Sequence, residues 1–170
     1  MAHDLIAFVG PLQSGKTTAA RYLADHYHYS RHRFAGTFKL MLKIGFNLSD
    51  EQIDGSQKDV PTELLCGRTP RYAMRTIGSQ WGREMMDSEI WVQAWKNTRP
   101  PGPIVCDDCR FPNEYLLLRN LGARVFRVTR PGFEHTEEHD SEAHRLPYDE
   151  EILNEGTLKE FLHKVEGLVG

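Results

Sequence analysis

The stretch that decides the fold is Leu5-Ile6-Ala7-Phe8-Val9 followed by Gly10-Pro11-Leu12-Gln13-Ser14-Gly15-Lys16-Thr17-Thr18. An apolar run of strand length ends at a glycine, and Ala20, Leu23, Ala24 and Tyr27 then recur at helical spacing. The order is therefore strand, loop, helix. Gly10-x4-Gly15-Lys16-Thr17 matches a phosphate-binding loop (P-loop) in full, in the context that pattern requires. Glycines let the backbone close round a phosphate with its N–H groups inward, and the helix N-terminus adds a partial positive charge. Lys16 is predicted to reach the β- and γ-phosphates of ATP, and Thr17 to ligate Mg²⁺. Gly10, Gln13, Ser14, Gly15 and Thr18 complete the predicted ATP-contacting set.

Outward from this loop, strands and helices alternate. A short strand is predicted near 31–35. Residues 37–100 read as mainly helical, broken at Gly45, Gly55, Pro61 and Gly67. Thr69-Pro70 is a helix start, a threonine cap before a proline whose missing amide costs nothing. Ala73, Ile77, Trp81 and Met85 follow at steps of four and predict one apolar stripe. A helix over 88–97, a buried strand over 103–107 and a helix over 112–120 come next. Residues 124–129 alternate as a strand, 130–148 form a polar loop or lid, and 150–153 a last strand. Leu158, Phe161, Leu162, Val165 and Leu168 mark a closing amphipathic helix. This alternation predicts an α/β protein with a parallel, doubly wound sheet.

The chain has 170 residues, enough for one domain with a substantial core. Lysine and arginine total 21, aspartate and glutamate 24, for a net charge of −3. That balance disfavours a general nucleic-acid or membrane-surface binder. The basic residues gather at Lys16, Arg68 to Arg83, Arg110 and Arg130, while much of the acid lies from Glu134 to Glu166. Small anionic substrates are favoured over polyanions. No apolar run is long enough to span a bilayer, and Met1-Ala2-His3-Asp4 has neither the basic nor the apolar region of a signal peptide, so none is expected and a cytoplasmic location is. Cys66, Cys106 and Cys109 read as reduced thiols.

Two further clusters carry chemistry. Ile104-Val105-Cys106-Asp107-Asp108 is an apolar strand ending in acid, which beside the P-loop strand would place a carboxylate near the metal. Alternation along a strand lets only one of the two face the phosphates. Arg110 follows at the strand's C-terminal end, where ligands bind in open sheets. Arg68, Arg71 and Arg75 fall at i, i+3 and i+7 around the Thr69-Pro70 helix start. Arginine suits phosphate because its planar fork donates two parallel hydrogen bonds and keeps its charge. These three are the predicted acceptor-phosphate site, in competition with an ordinary solvated helix face. Cys106-x2-Cys109 and His135-x3-His139 also have zinc-like spacings, set against the burial expected of Cys106.

The motifs together resemble the bacteriophage deoxynucleoside monophosphate kinases of the P-loop nucleotide kinase superfamily. The resemblance runs through Phe34-Ala35-Gly36-Thr37-Phe38-Lys39, Thr69-Pro70-Arg71 to Arg83, and Asp87-Ser88-Glu89-Ile90-Trp91. It continues through Asp108-Cys109-Arg110-Phe111-Pro112-Asn113-Glu114, Arg130-Pro131-Gly132, His139-Asp140-Ser141-Glu142 and Ile152 to Leu158. It implies a three-layer α/β/α kinase with a five-stranded parallel sheet. The core would be 1–36, 101–130 and 149–170, with a helical monophosphate-binding insertion over 37–100 and a lid over 131–148. It implies transfer from ATP to a deoxynucleoside monophosphate with Mg²⁺, in deoxynucleotide supply, and a homodimer is compatible with it. Asp108 matches the family's metal-side position better than Asp107. Arg110 and Arg130 are the candidates to neutralise the transferring group, and Trp81 to border the acceptor. A kinase similar to dephospho-coenzyme A kinase and a slow nucleotide-gated ATPase are the competing readings.

Overall fold

Five parallel strands carry the fold, in a computed structural model that describes residues 3–133 and 146–169. They are β1 (Leu5–Val9), β2 (Ser30–Arg31), β3 (Ile104–Cys106), β4 (Arg124–Thr129) and β5 (Glu150–Leu153). All five residues of β1 are buried. A continuous apolar run suits a central parallel strand covered on both faces. The strand order is β2-β3-β1-β4-β5, with every pairing parallel. The first crossover runs from β1 past β3 to the edge strand β2, and the chain then returns the other way through β3, over β1 to β4, and on to β5. This reversal opens a crevice at the C-terminal end of β1, where the P-loop begins.

The strand faces decide what packs where. Ile6, Phe8, Val105, Phe126, Val128 and Ile152 lie in one cluster with Ala19, Ala20 and Leu23 of α1 (Lys16–Tyr27). Phe161 and Val165 of α7 (Leu158–Glu166) join it. Thr157 caps α7 with a capping box completed by Glu160, as a Thr-x-x-Glu sequence should. Pro112 opens α6 (Pro112–Asn120) at its first turn, and Leu118 is its fully buried anchor. The second strand is shorter than predicted: the bond from the His32 amide to the Val105 carbonyl is its last rung, and the chain then turns at Phe34 and Ala35.

Asp149 pins the β4–β5 edge. Its carboxylate accepts from the Val125 amide and from Arg119, each at 2.7 Å. Burial pushes its carboxyl up, but these donors outweigh burial and hold it below the usual carboxylate range. Asp149→Ala should therefore cost about 1–3 kcal/mol of stability by orphaning the Val125 amide and leaving Arg119 with the Ala123 carbonyl alone. The group's pKa is lowered on folding, so its contribution is full above the unfolded value. It is lost as pH falls through the folded value. Denaturant melts of the two proteins should thus differ at pH 7 and converge in strong acid.

The chain divides into two compact units, Met1–Arg33 with Arg99–Gly170, and Phe34–Thr98. The second unit holds α2 (Gly36–Phe46), α3 (Asp50–Ile53), α4 (Pro70–Arg75) and α5 (Ile90–Asn97). Thr69 caps α4 through the Tyr72 amide and Pro70 follows at the first position, as predicted. The chain then winds as a π-helix over Thr76–Met86. That winding overturns the four-step stripe. With hydrogen bonds to i+5, four residues fall short of a full turn, and the apolar positions drift round the axis. Ala73 and Ile77 pack with Leu42, Leu48, Ile53 and Leu65, whereas Met85 is 75% exposed. Two glycines let aromatic rings approach this helix closely. A Cβ on Gly82 would sit 2.6 Å from the Trp91 ring, and one on Gly78 would lie 3.1 Å from Phe38. The Trp91 indole N–H donates to the Gly78 carbonyl at 2.7 Å, which clamps the helix against α5.

Candidate functional site

Between β1 and α1 the backbone takes three positive φ angles, at Gly10 (130°), Gln13 (63°) and Gly15 (115°). At Gly10 a side chain is sterically excluded, since a Cβ would lie 2.2 Å from the Val128 carbonyl oxygen. Lys16 curls back over the loop and donates to the carbonyls of Gly10 at 2.8 Å and Pro11 at 2.5 Å. Burial, and then the nearby positive charge of Arg110, lower the Lys16 ammonium from its ordinary range to about 8, against an opposing pull from Asp107. A cation held under that penalty gains from an incoming anion. Thr17 and Thr18 open α1 with exposed side chains, and Ser14 is fully buried beneath the loop.

β3 delivers acid to this loop, and the residue it delivers is Asp107. Val105 lies on the sheet face that α1 covers, and Asp107, two residues on, shares that face. The Thr17 hydroxyl donates to Asp107 Oδ2 at 2.8 Å. Asp108 falls on the other side, where its Oδ1 accepts from the Cys106 thiol at 3.5 Å. The sequence favours Asp108 for the metal side, with Asp107 as the alternative, and the carboxylate that meets Thr17 is Asp107.

Asp107 has a partner that sequence reasoning missed. Arg31, at the end of β2, donates from Nε to Oδ1 at 2.9 Å and from its terminal nitrogen to Oδ2 at 2.5 Å. The same guanidinium comes within 3.5 Å of the Thr17 hydroxyl. The Asp107 side chain is 2% exposed and that of Arg31 19%. Burial would push the Asp107 carboxyl up, yet the Arg31 fork and the Thr17 hydroxyl hold it below the usual carboxylate range. The Thr17 hydroxyl gives its proton to Asp107 and accepts from Arg31 at 3.5 Å, which leaves one oxygen lone pair for a further partner. An oxygen-rich pair of hydroxyl and carboxylate is the chemistry that Mg²⁺ selects, so these residues fit that ion.

Two other missed residues shape the loops. Buried Glu114 accepts from the amides of Arg110 at 2.7 Å and Phe111 at 3.2 Å, which fixes the backbone that carries Arg110. Asn154 donates its side-chain amide to the Ser14 carbonyl at 2.7 Å. The Asp-x-Arg-x-x-x-Glu spacing carried a signal for Glu114, because a glutamate at the third helical position after Pro112 completes a capping arrangement. Nothing local marks Asn154.

In the second unit the arginines have diverse surroundings. Arg71 forms a two-pronged pair with Asp59, at 2.5 and 2.8 Å. Arg68 stacks over the Tyr72 ring at 5.0 Å. Arg75 is exposed on the same helix, and Arg83 donates to the Ser88 carbonyl at 3.0 Å. Trp81 is 37% exposed, with its ring 6.1 Å from Trp91. In the first unit Arg130 lies 4.7 Å over the Phe133 ring. Cys106 and Cys109 are buried and Cys66 is exposed, all as free thiols. Among the described residues no cluster of three or more His, Cys, Asp or Glu could hold a metal. His135, His139 and most of the predicted lid lie outside those residues. No helix among them is long and apolar enough to cross a membrane.

The fold and this loop define a class, the P-loop α/β proteins. A crystal structure of TT1252 from Thermus thermophilus shares the fold, with a TM-score of 0.52 at 14% identity, over 99% of this chain and 97% of that one. No family profile matches the chain. A protein of Acanthamoeba polyphaga mimivirus, "Putative deoxynucleotide monophosphate kinase", is 32% identical over 95% of this chain and 93% of its own length. The chain belongs to that deoxynucleotide monophosphate kinase family. The relative is viral, and the comparison does not single out bacteriophages.

Proposed function

We propose that the protein transfers the γ-phosphoryl group of ATP to a deoxynucleoside monophosphate, giving ADP and the diphosphate. The observation that carries this reading is the P-loop with the Thr17–Asp107 contact at its helix end. The loop amides and Lys16 hold the donor phosphates. Thr17 and Asp107 would hold Mg²⁺, directly or through water, and the Arg31 fork orients Asp107 and holds its carboxyl below the usual carboxylate range. When bound, Mg²⁺ neutralises charge on the donor phosphates. Arg71 and Arg75, helped by Arg68, bind the acceptor's phosphate, and Trp81 borders its nucleoside. Arg110 and Arg130 offset charge on the group in flight. No protein nucleophile is required, because phosphoryl transfer depends on positioning and charge stabilisation.

A coupled ADP-release assay tests this directly, with ATP against deoxynucleoside monophosphates, ribonucleoside monophosphates and dephospho-coenzyme A. Turnover with a deoxynucleoside monophosphate is the expected result, and ADP release independent of any acceptor would overturn the reading. Arg71→Ala and Arg75→Ala should each raise the acceptor KM by about 10- to 100-fold, the loss of one charge-assisted hydrogen bond. The ATP KM should hold within about twofold on the same reasoning. Unchanged acceptor dependence in both variants would remove these arginines from the acceptor site.

A further inference from the structure

Asn154 touches the phosphate loop from 140 residues away. It follows β5, and its own backbone N–H donates to the Thr129 carbonyl at 2.7 Å, so its position is tied to the end of β4. Its side-chain Nδ2 donates to the Ser14 carbonyl at 2.7 Å. The fit behind the loop is tight. A Cβ on Gly15 would meet Asn154 Nδ2 at 2.6 Å and the Phe161 ring at 3.2 Å. Gly15 also has a φ of 115°, a conformation that L side chains rarely adopt.

The geometry of one peptide unit gives this contact a purpose. The Ser14 carbonyl and the Gly15 N–H belong to the same planar group, and in a trans peptide they point in opposite directions. Holding the carbonyl on the Asn154 side therefore turns the Gly15 N–H away from Asn154 and away from α7. Among the described residues that N–H donates to nothing. An unspent backbone donor immediately before α1 is of the kind that binds a phosphate oxygen.

We infer that Asn154 is a positioning residue for the donor phosphates: it fixes the Ser14–Gly15 peptide so that the Gly15 N–H faces the anion. The inference rests on the reading of this loop as the donor site. The last strand and helix thus act on the first loop, closing the chain's two ends on one function. Phe161 backs the same glycine and limits how far the peptide can rotate.

Calorimetric titration of ADP into the full chain tests this, with Asn154→Ala and the isosteric Asn154→Asp. Asn154→Ala removes the donor, and its ADP Kd should rise about tenfold, the worth of one hydrogen bond to a charge-binding backbone unit. Asn154→Asp keeps the shape but sets a carboxylate against the Ser14 carbonyl, and the rise should approach about 100-fold on the same scale. The acceptor KM and the thermal midpoint of both variants should stay near wild type, which a merely structural tie would not allow. ADP binding by Asn154→Asp within twofold of wild type would overturn the inference. So would a loss of ADP affinity matched by an equal rise in acceptor KM and a fall in thermal midpoint. Failure of the wild-type chain to bind ADP would instead remove the donor-site reading and the inference with it.

Discussion

Lys16→Ala is expected to lose ATP-dependent transfer by about 10²- to 10³-fold, the scale on which removal of one preorganised charge donor acts. The fold should survive. Lys16 bonds only carbonyls of its own loop, Gly10 and Pro11, and joins no apolar cluster. Removing it also relieves a strained charge, since burial first and Arg110 second depress its ammonium to about 8. Thermal unfolding of the nucleotide-free variant should therefore match or exceed that of wild type. The activity loss has the opposite sign because the phosphate, once bound, is the partner that the buried ammonium lacks. ADP affinity should fall with the rate, while acceptor binding should not. Full transfer by the folded variant, read in the coupled assay, would remove Lys16 from the donor site.

The residues legible in the sequence were those whose partners are near in the chain. The P-loop is a spacing of eight residues between a strand and a helix, and the backbone conformations at Gly10 and Gly15 follow from it locally. The Thr69-Pro70 start and the Pro112 start are local in the same sense. The Arg31–Asp107 pair spans 76 residues and Asn154–Ser14 spans 140, so neither leaves a periodic trace. Choosing Asp107 over Asp108 required the sheet register, in which Ile6 stands beside Val105 and fixes which face α1 covers. The π-helix was hidden for a different reason. Steps of four through Ala73, Ile77, Trp81 and Met85 fit an α-helix, and that spacing carries no mark of the wider winding or of the aromatic rings against Gly78 and Gly82. Arg71 was read from its charge and its helical spacing, and neither encodes its pairing with Asp59 at the end of the short 3-10 helix Ser56–Asp59.

Asp107→Leu should combine a large loss of stability with a large loss of transfer, and Arg31 allows the two to be separated. Removing a 2%-exposed carboxylate leaves the Arg31 guanidinium, itself only 19% exposed, without the fork it was built around. Breaking a buried pair from one side costs about 3–5 kcal/mol, and the partial exposure of Arg31 places this case at the lower end. Replacing both members with apolar residues, Arg31→Met with Asp107→Leu, removes the stranded charge and should recover most of that loss. Transfer should not return, because Thr17 still lacks the acceptor for its proton and the site still lacks a carboxylate. Arg31→Met alone should keep measurable transfer, since Asp107 retains its bond from Thr17. The four proteins form one cycle, read by denaturant melts for stability and by ADP release for turnover. If the double variant regains transfer along with stability, Asp107 is only the anchor of Arg31. If stability recovers and transfer does not, the carboxylate acts on the phosphates through Thr17, and Arg31 serves to hold it in place beside that hydroxyl.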